Sequence, residues 1–295
     1  MITFQPRVLR FASLPSTNTE AARLAEQGAE EGLCILAGEQ TAGRGRLQRQ
    51  WISPAGAGLY FSILLRPPLS TSPWSLIPLL AALAVHDALK DSCALQTDIK
   101  WPNDILFADQ KLCGILAETI ETDTGRAVIV GIGINLTSDA FPVVLRDVAT
   151  SIAAAAGKPP DVESLLQSLI QALGRRYEMF LAPDGPLEVI LEWSKRSSYA
   201  RGKTVSVTNG SETFSAVTQG LESDGALRVQ TDAGEIKLVR AGDVTSVRQV
   251  QLACGAGESI KPGVERSVTP GRTHAQESAR EAGDSSPIGD KPSSR

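Results

Sequence analysis

Residues 100–136 read KWPNDILFADQKLCGILAETIETDTGRAVIVGIGINL, and their pattern decides the fold class. ILFAD (105–109) and KLCGILAETI (111–120) are apolar runs parted by a short polar break, which predicts a hairpin. AVIVGIGINL (127–136) predicts a third strand. Strands that follow one another without a helix between them break βαβ alternation and favour an α+β fold with a mixed sheet. Towards the N-terminus, LCILAG (33–38) and GLYFSILL (58–65) read as short buried strands, and residues 75–91 as a helix with Pro78 in its first turn. Thr17-Asn18-Thr19-Glu20 matches a capping box that opens AARLAEQ, a helix ending at Gly28. Towards the C-terminus, residues 161–181 form an amphipathic helix with Leu165, Leu166, Leu169, Leu173 and Tyr177 on one side. From about residue 195 to 250 the pattern changes to GKTVSV, TFSAV, LRVQT and EIKLV, punctuated by Asn209-Gly210, Asp224-Gly225 and Ala233-Gly234. That spacing predicts a small β-barrel or sandwich. Ala253–Arg295 has no aromatic residue and 17 Gly, Pro or Ser in 43 positions, so it is expected to be disordered. The expected division is 1–192, 193–250 and a 251–295 tail.

Composition narrows the function. The chain has 295 residues and a formal net charge of -4, which argues against a coat for nucleic acid or an anionic membrane. Its most apolar stretch, Trp74–Leu89, is interrupted by Pro78, His86 and Asp87, too soon for a bilayer span. The N-terminus lacks the apolar core of a secretory signal. Cys34, Cys93, Cys113 and Cys254 form no C-x-x-C pair, which fits a reducing cytoplasm and not a zinc ribbon. The two histidines, His86 in a helical apolar pattern and His274 in the tail, do not support a Ser–His–Asp or Cys–His mechanism. Any chemistry must run on Lys, Arg, Asp and Asn.

Three segments can carry it. Gly43-Arg44-Gly45-Arg46-Leu47-Gln48-Arg49-Gln50-Trp51 sets three arginines among glycines with no acid. It is either a solvated basic loop or a loop in which backbone N–H groups and guanidinium donors hold a phosphate or carboxylate. Lys100-Trp101-Pro102-Asn103-Asp104 is a polar turn between apolar strands, with Lys111 seven residues beyond Asp104. It is either a hairpin corner, with Lys100 a turn residue, or a place for nucleotide and metal at Asp104 and for phosphate at Lys111. Val128–Asn135 contains Gly131-Ile132-Gly133, but no third glycine and no helix follow, so a dinucleotide fingerprint is weak. The glycines are better read as letting a flat ligand lie against the backbone.

Taken in order, Ser16-Thr17-Asn18, GRGRLQRQW, KWPNDILFADQKLCGILAE and GIGIN resemble the biotin–protein ligases, also called biotin–[acetyl-CoA-carboxylase] ligases. The resemblance spans roughly residues 8–250. It departs at Gln48, where the family pattern GRGR-x-GR-x-W has glycine. It implies a biotin/lipoate ligase-like catalytic domain followed by an SH3-like barrel. It implies that biotin and ATP, with Mg²⁺, give biotinyl-5′-AMP, and that biotin then passes to a lysine of the biotin carboxyl carrier protein of acetyl-CoA carboxylase. By resemblance, biotin contacts fall on Ser16, Thr17, Asn18, Gln40, Arg44, Gly45, Arg46, Lys111, Gly114, Gly131 and Gly133. ATP contacts fall on Arg46, Arg49, Trp51, Asn103, Asp104 and Asn135, with Asp104 also as the Mg²⁺ ligand. Arg46 and Lys111 are the expected catalytic cations. About 15 residues precede Ser16, so the expected form lacks the N-terminal DNA-binding domain of many members. A cytoplasmic enzyme with no nucleic acid or membrane partner follows, and a homodimer is compatible with it. The alternatives are a lipoate or octanoate ligase or transferase of the same fold, and an inactive biotin-binding module.

Overall fold

A computed structural model describes residues 4–68, 74–240 and 242–246. In chain order the elements are β1 (Arg7–Phe11), α1 (Thr17–Glu26), β2 (Leu33–Ala37), β3 (Gly58–Leu65), α2 (Ile77–Cys93), β4 (Asp98–Lys100), β5 (Asp104–Phe107), β6 (Gln110–Thr122), β7 (Gly125–Asn135), α3 (Ile152–Ala156), α4 (Val162–Phe180), α5 (Gly185–Arg196), β8 (Arg201–Asn209), β9 (Glu212–Leu221), β10 (Leu227–Thr231), β11 (Ile236–Val239) and β12 (Asp243–Ser246). A seven-stranded sheet runs β1-β2-β3-β7-β6-β5-β4 and a five-stranded sheet runs β11-β10-β9-β8-β12. Only β1–β2 is parallel in the larger sheet, and every pair in the smaller one is antiparallel. This is the α+β class with a mixed sheet that the strand order predicts.

The deciding hairpin is β5–β6. Ala108 and Asp109 form its two-residue turn with φ of 50° and 62°, the pair of positive values a type I′ turn needs. Strand alternation then gives the sheet two different faces. Leu59, Phe61, Ile63 and Leu65 of β3, and Val128, Val130, Ile132 and Ile134 of β7, join the main core with α2 and α4. The opposite face buries a smaller cluster, Ile35, Leu64, Ala127 and Ile129, under Ala21 and Ala25 of α1. From Leu79 to Leu89 every residue of α2 except Asp87 is buried, because the sheet covers one side and α4 and α5 cover the other. α4 is amphipathic as its spacing predicts, and Asp161 caps it by accepting from the N–H groups of Glu163 and Ser164 at 3.1 Å.

The local reading needs three corrections. Ser16, not Thr17, caps α1: it is extended (φ -160°, ψ 134°) and its Oγ accepts from Thr19 N–H. The Thr17 hydroxyl is drawn instead into a buried network, and Glu20 pairs with Arg23. β1, β4, β12, α3 and α5 were not foreseen: each of the strands, like α3, is five residues or shorter, and β1 carries a basic residue at either side of its core, so none presents a long periodic signal. α5 begins with Gly185-Pro186 and buries only Gly185, Val189 and Trp193. Residue 192, where composition divides the chain, lies inside α5, and the smaller sheet starts at Arg201. The expectation of a disordered 251–295 tail falls outside the described residues.

Candidate active site

The α1-facing side of the large sheet is nearly bare where β6 and β7 meet. Gly114 pairs directly with Gly133, and Leu116 with Gly131. A Cβ on Gly133 would lie 2.5 Å from Trp51 Nε1, and one on Gly114 2.9 Å from the same indole. A Cβ on Gly131 would lie 2.2 Å from Asn18 Oδ1. The glycines thus admit flat groups against the backbone, but the flat groups are the protein's own indole and carboxamide.

Asn18 sits at the start of α1, whose cap turns Ser16, Thr17 and Asn18 inwards; all three are buried. Thr17 donates through both N–H and hydroxyl to Gln40 Oε1, at 2.9 and 3.1 Å. Ser62 Oγ lies 2.7 Å from Thr17 Oγ1 and 2.6 Å from Asn18 Oδ1. Gln40 in turn donates to Ser53 Oγ at 2.9 Å. The Asn18 amide nitrogen donates to Glu118 Oε2 at 2.7 Å and to Leu116 O at 3.3 Å. Ser62 was missed: its only mark in the sequence is that it is the lone polar residue in the apolar run GLYFSILL.

The basic segment is a small hairpin. Gly45 N–H donates to Arg49 O at 2.7 Å, Trp51 N–H to Gly43 O at 2.9 Å, and Arg44 bridges Gln50. Leu47 and Gln48 form its tip with φ of 53° and 59°. Gln48, standing where the pattern expects glycine, therefore does adopt the left-handed conformation that glycine favours. Each arginine has a separate anchor. Arg44 reaches Glu118 at 2.9 Å, Arg49 reaches Asp243 at 2.5 Å, and Arg46 donates to Asn103 Oδ1 and Gly242 O at 3.2 and 3.3 Å. Burial pulls the Arg46 guanidinium below its ordinary pKa, while the carboxylates of Asp243 and Asp104 work the other way.

The 100–104 turn brings Asp104 between two ammonium groups, Lys111 at 2.6 Å and Lys100 at 3.5 Å. Lys100 is thus part of the charge cluster and not only a turn residue. Lys111 Nζ also lies 5.4 Å from the centroid of the Trp51 ring. Asn103 donates to Ile115 O at 2.6 Å, and Asn135 to Thr150 O and Lys111 O at 2.9 and 3.3 Å. Asn135 thus spends both of its N–H donors on the fold, and Asn103 spends one.

One cavity of about 250 Å³ is lined by every residue to which the resemblance gives a biotin or ATP contact: Ser16, Thr17 and Asn18, Gln40, Arg44 to Arg46, Arg49, Trp51, Asn103, Asp104, Lys111, Gly114, Gly131, Gly133 and Asn135. Sequence reasoning missed its apolar wall, including Phe61, Phe141, Leu145 and Val148, and it missed Asp243. Asp243 comes from β12 of the other sheet, and nothing local marks it. Four lining cations, Arg44, Arg46, Arg49 and Lys111, face two lining carboxylates, Asp104 and Asp243, so the cavity favours anions. The buried Trp51 Nε1–H has no hydrogen-bond partner among the described residues, which leaves a donor in the wall. The donor set does not fit a protein-held Mg²⁺. Asp104 is already flanked by two ammonium groups, and no cluster of three His, Cys, Asp or Glu suited to a metal occurs among the described residues.

Residues 10–135 match the model of the biotin/lipoate A/B protein ligase family, and residues 202–245 that of the biotin protein ligase C-terminal domain. The chain is 38% identical over 238 residues to the bifunctional ligase/repressor BirA of Bacillus subtilis, covering 78% of this chain and 71% of that one. It is 34% identical to the biotin–[acetyl-CoA-carboxylase] ligase of Paracoccus denitrificans, covering 79% of this chain and 98% of the relative. A solved biotin protein ligase from Aquifex aeolicus, in complex with biotin and ATP, superposes with a TM-score of 0.70 at 30% identity, covering 82% of this chain and 99% of the other.

Proposed function

Because the chain belongs to the biotin/lipoate A/B protein ligase family, we propose that it joins biotin to ATP and then passes the biotinyl group to a carrier lysine. In the first step a biotin carboxylate oxygen attacks the α-phosphorus of ATP. An O–P bond forms, pyrophosphate leaves, and biotinyl-5′-AMP remains. In the second step a neutral lysine amine of the biotin carrier domain of a carboxylase attacks the acyl carbon. The amide forms, AMP leaves, and the amine's proton goes to water. The observation that carries this reading is the convergence of the motif residues on one cavity with four cations against two carboxylates.

The division of labour follows from which groups are already committed. Asn103 accepts from Arg46 Nη1, which also faces Gly242 O, so one edge of that guanidinium is fixed and its remaining donors are left for a phosphate. Lys111, held by Asp104, supplies a point charge that can follow the carboxylate and the α-phosphate. The Ser16–Thr17–Gln40 corner presents fixed polar groups to the ureido ring, and the apolar wall takes the thiophane and valeryl chain. Trp51 flanks the nucleotide. Mg²⁺ would be held by the phosphates of the nucleotide itself, since the described residues offer no ligand set for it. One chain supplies every lining residue, so a homodimer is not needed to complete the cavity. The proposed setting is the cytoplasm, without nucleic acid; no helix among the described residues is long and apolar enough to cross a membrane.

Biotin-dependent exchange between ATP and labelled pyrophosphate tests the reading. Exchange is expected with biotin and not with lipoate or octanoate. Exchange with lipoate instead would favour the lipoate relatives, and no exchange with any acid would favour a binding module.

Gln48 gives a smaller prediction. An L-residue in the left-handed region costs about 1 kcal/mol or more, and glycine returns part of that as unfolded-chain entropy. Gln48→Gly should therefore favour the observed hairpin by roughly 0.5–1 kcal/mol, which is roughly a twofold to fivefold slower release of biotinyl-AMP. Thermal midpoints should differ by no more than about 4 °C. Identical release half-lives in the two proteins would show that the tip conformation does not govern closure.

A further inference from the structure

We propose that Glu118 is a positioning residue that latches the basic hairpin to the first turn of α1, and so sets how tightly the bound acid is retained. The inference rests on the biotin-activating reading above. Glu118 stands on β6 two residues beyond Leu116, on the α1-facing side of the sheet. Its Oε2 accepts from two donors on different elements: Asn18 Nδ2 at 2.7 Å and Arg44 Nη2 at 2.9 Å. Gly131 makes this reach feasible, because Asn18 can lie flat on the backbone only where no Cβ intervenes.

Asn18 is consequently saturated as a donor, with its Nδ2 shared between Glu118 and Leu116 O, while its Oδ1 faces Ser62 Oγ. It serves as a bracket between the sheet and the helix cap. Arg44 opens the basic hairpin, and its carboxylate partner fixes the stem by a charge-assisted bond. One carboxylate oxygen thus couples the cap that holds Thr17 against Gln40 to the hairpin that carries Arg46, Arg49 and Trp51. A stem fixed before the ligand arrives lowers the ordering cost of binding and slows escape afterwards. Glu118 touches neither Lys111 nor Arg46, which keep their own anchors, Asp104 and Asn103.

Glu118→Gln keeps the side-chain size but removes the charge. It should raise the biotin KM by about tenfold, the factor that ~1.4 kcal/mol corresponds to. It should shorten the half-life of enzyme-bound biotinyl-AMP by a similar factor. The single-turnover adenylation rate at saturating biotin and the ATP KM should stay within about twofold, a split that general destabilisation would not produce. Hydrogen exchange of the Gly45 and Trp51 amides in ligand-free protein reads the latch without biotin, and should accelerate in Glu118→Gln. Arg44→Gln also removes a cavity-lining cation, so it is compared through the hairpin alone: its amide exchange should rise as in Glu118→Gln, and the double variant should exchange no faster than either single one, because both remove the same contact. Additive effects of the two substitutions, unchanged exchange, or a loss confined to the adenylation rate would each overturn the proposal. If wild-type protein forms no biotinyl-AMP, the functional reading fails, while the exchange measurement still decides whether Glu118 holds the hairpin.

Discussion

Lys111→Ala is expected to slow biotinyl-AMP formation by about 10²–10³, the loss of about 2.7–4 kcal/mol that removal of one preorganised charge donor causes. Two anions must meet in the first step, and negative charge grows on the phosphoryl oxygens as the O–P bond forms. An ammonium held 2.6 Å from Asp104 is positioned beforehand and needs no reorganisation at that moment. The fold should survive, since Lys111 is partly exposed and Asp104 keeps Lys100 within 3.5 Å. Carrier biotinylation started from synthetic biotinyl-AMP should suffer less, because the phosphoryl transfer is already complete. Lys100→Ala is not an inert control: it removes the second ammonium from the same carboxylate, and a smaller loss in the same step is expected. Adenylate formation at the wild-type rate by Lys111→Ala under single-turnover conditions would leave Arg46 as the sole stabilising cation.

Trp101→Ala should have the largest effect on stability. The indole is 2% exposed, and its Nε1–H donates to Gly225 O at 3.0 Å, in the turn between β9 and β10. Removing it leaves a cavity and a carbonyl without its partner. A buried tryptophan cut to alanine costs about 3–5 kcal/mol. At roughly 2–4 °C per kcal/mol for a chain of this size, the thermal midpoint should fall by about 6–20 °C. Activity should fall as well, because Trp101 anchors the turn that presents Asn103 and Asp104. Trp101→Phe, which keeps most of the volume and loses the hydrogen bond, should lose no more than about half as much. A shift under about 3 °C for Trp101→Ala would show that the indole does not tie this turn to the smaller sheet.

Much of the candidate site was legible because its residue types are rare in the setting where they stand. Three arginines among glycines, or Trp-Pro-Asn-Asp between apolar strands, are not what a buried hairpin needs for folding. Gly131 and Gly133 in a β-strand give up packing, which marks them as places of close approach. Ser62 and Glu118 escaped notice because one serine or glutamate in a strand has many ordinary explanations, and their partners are distant in sequence. Asp243 had no signal at all.

From its pattern alone the sequence determined the α+β class, the strands at 58–65, 105–120 and 127–136, the amphipathic helix read at 161–181, the run of short strands from about residue 195, and the chemical inventory. These depend on period-2 and period-3.6 hydrophobicity and on turn residues, which act between neighbours. Only the tertiary structure decided which side chain holds which. The helix cap moved to Ser16 because the Thr17 hydroxyl finds Gln40 and Ser62. The glycine platform is covered by Trp51 and Asn18. Asp104 is shared by two lysines, and Arg49 is met by Asp243 from the other sheet. Such pairings follow from distances between segments far apart in the chain, and a buried polar group takes the partner that the packed fold brings within reach.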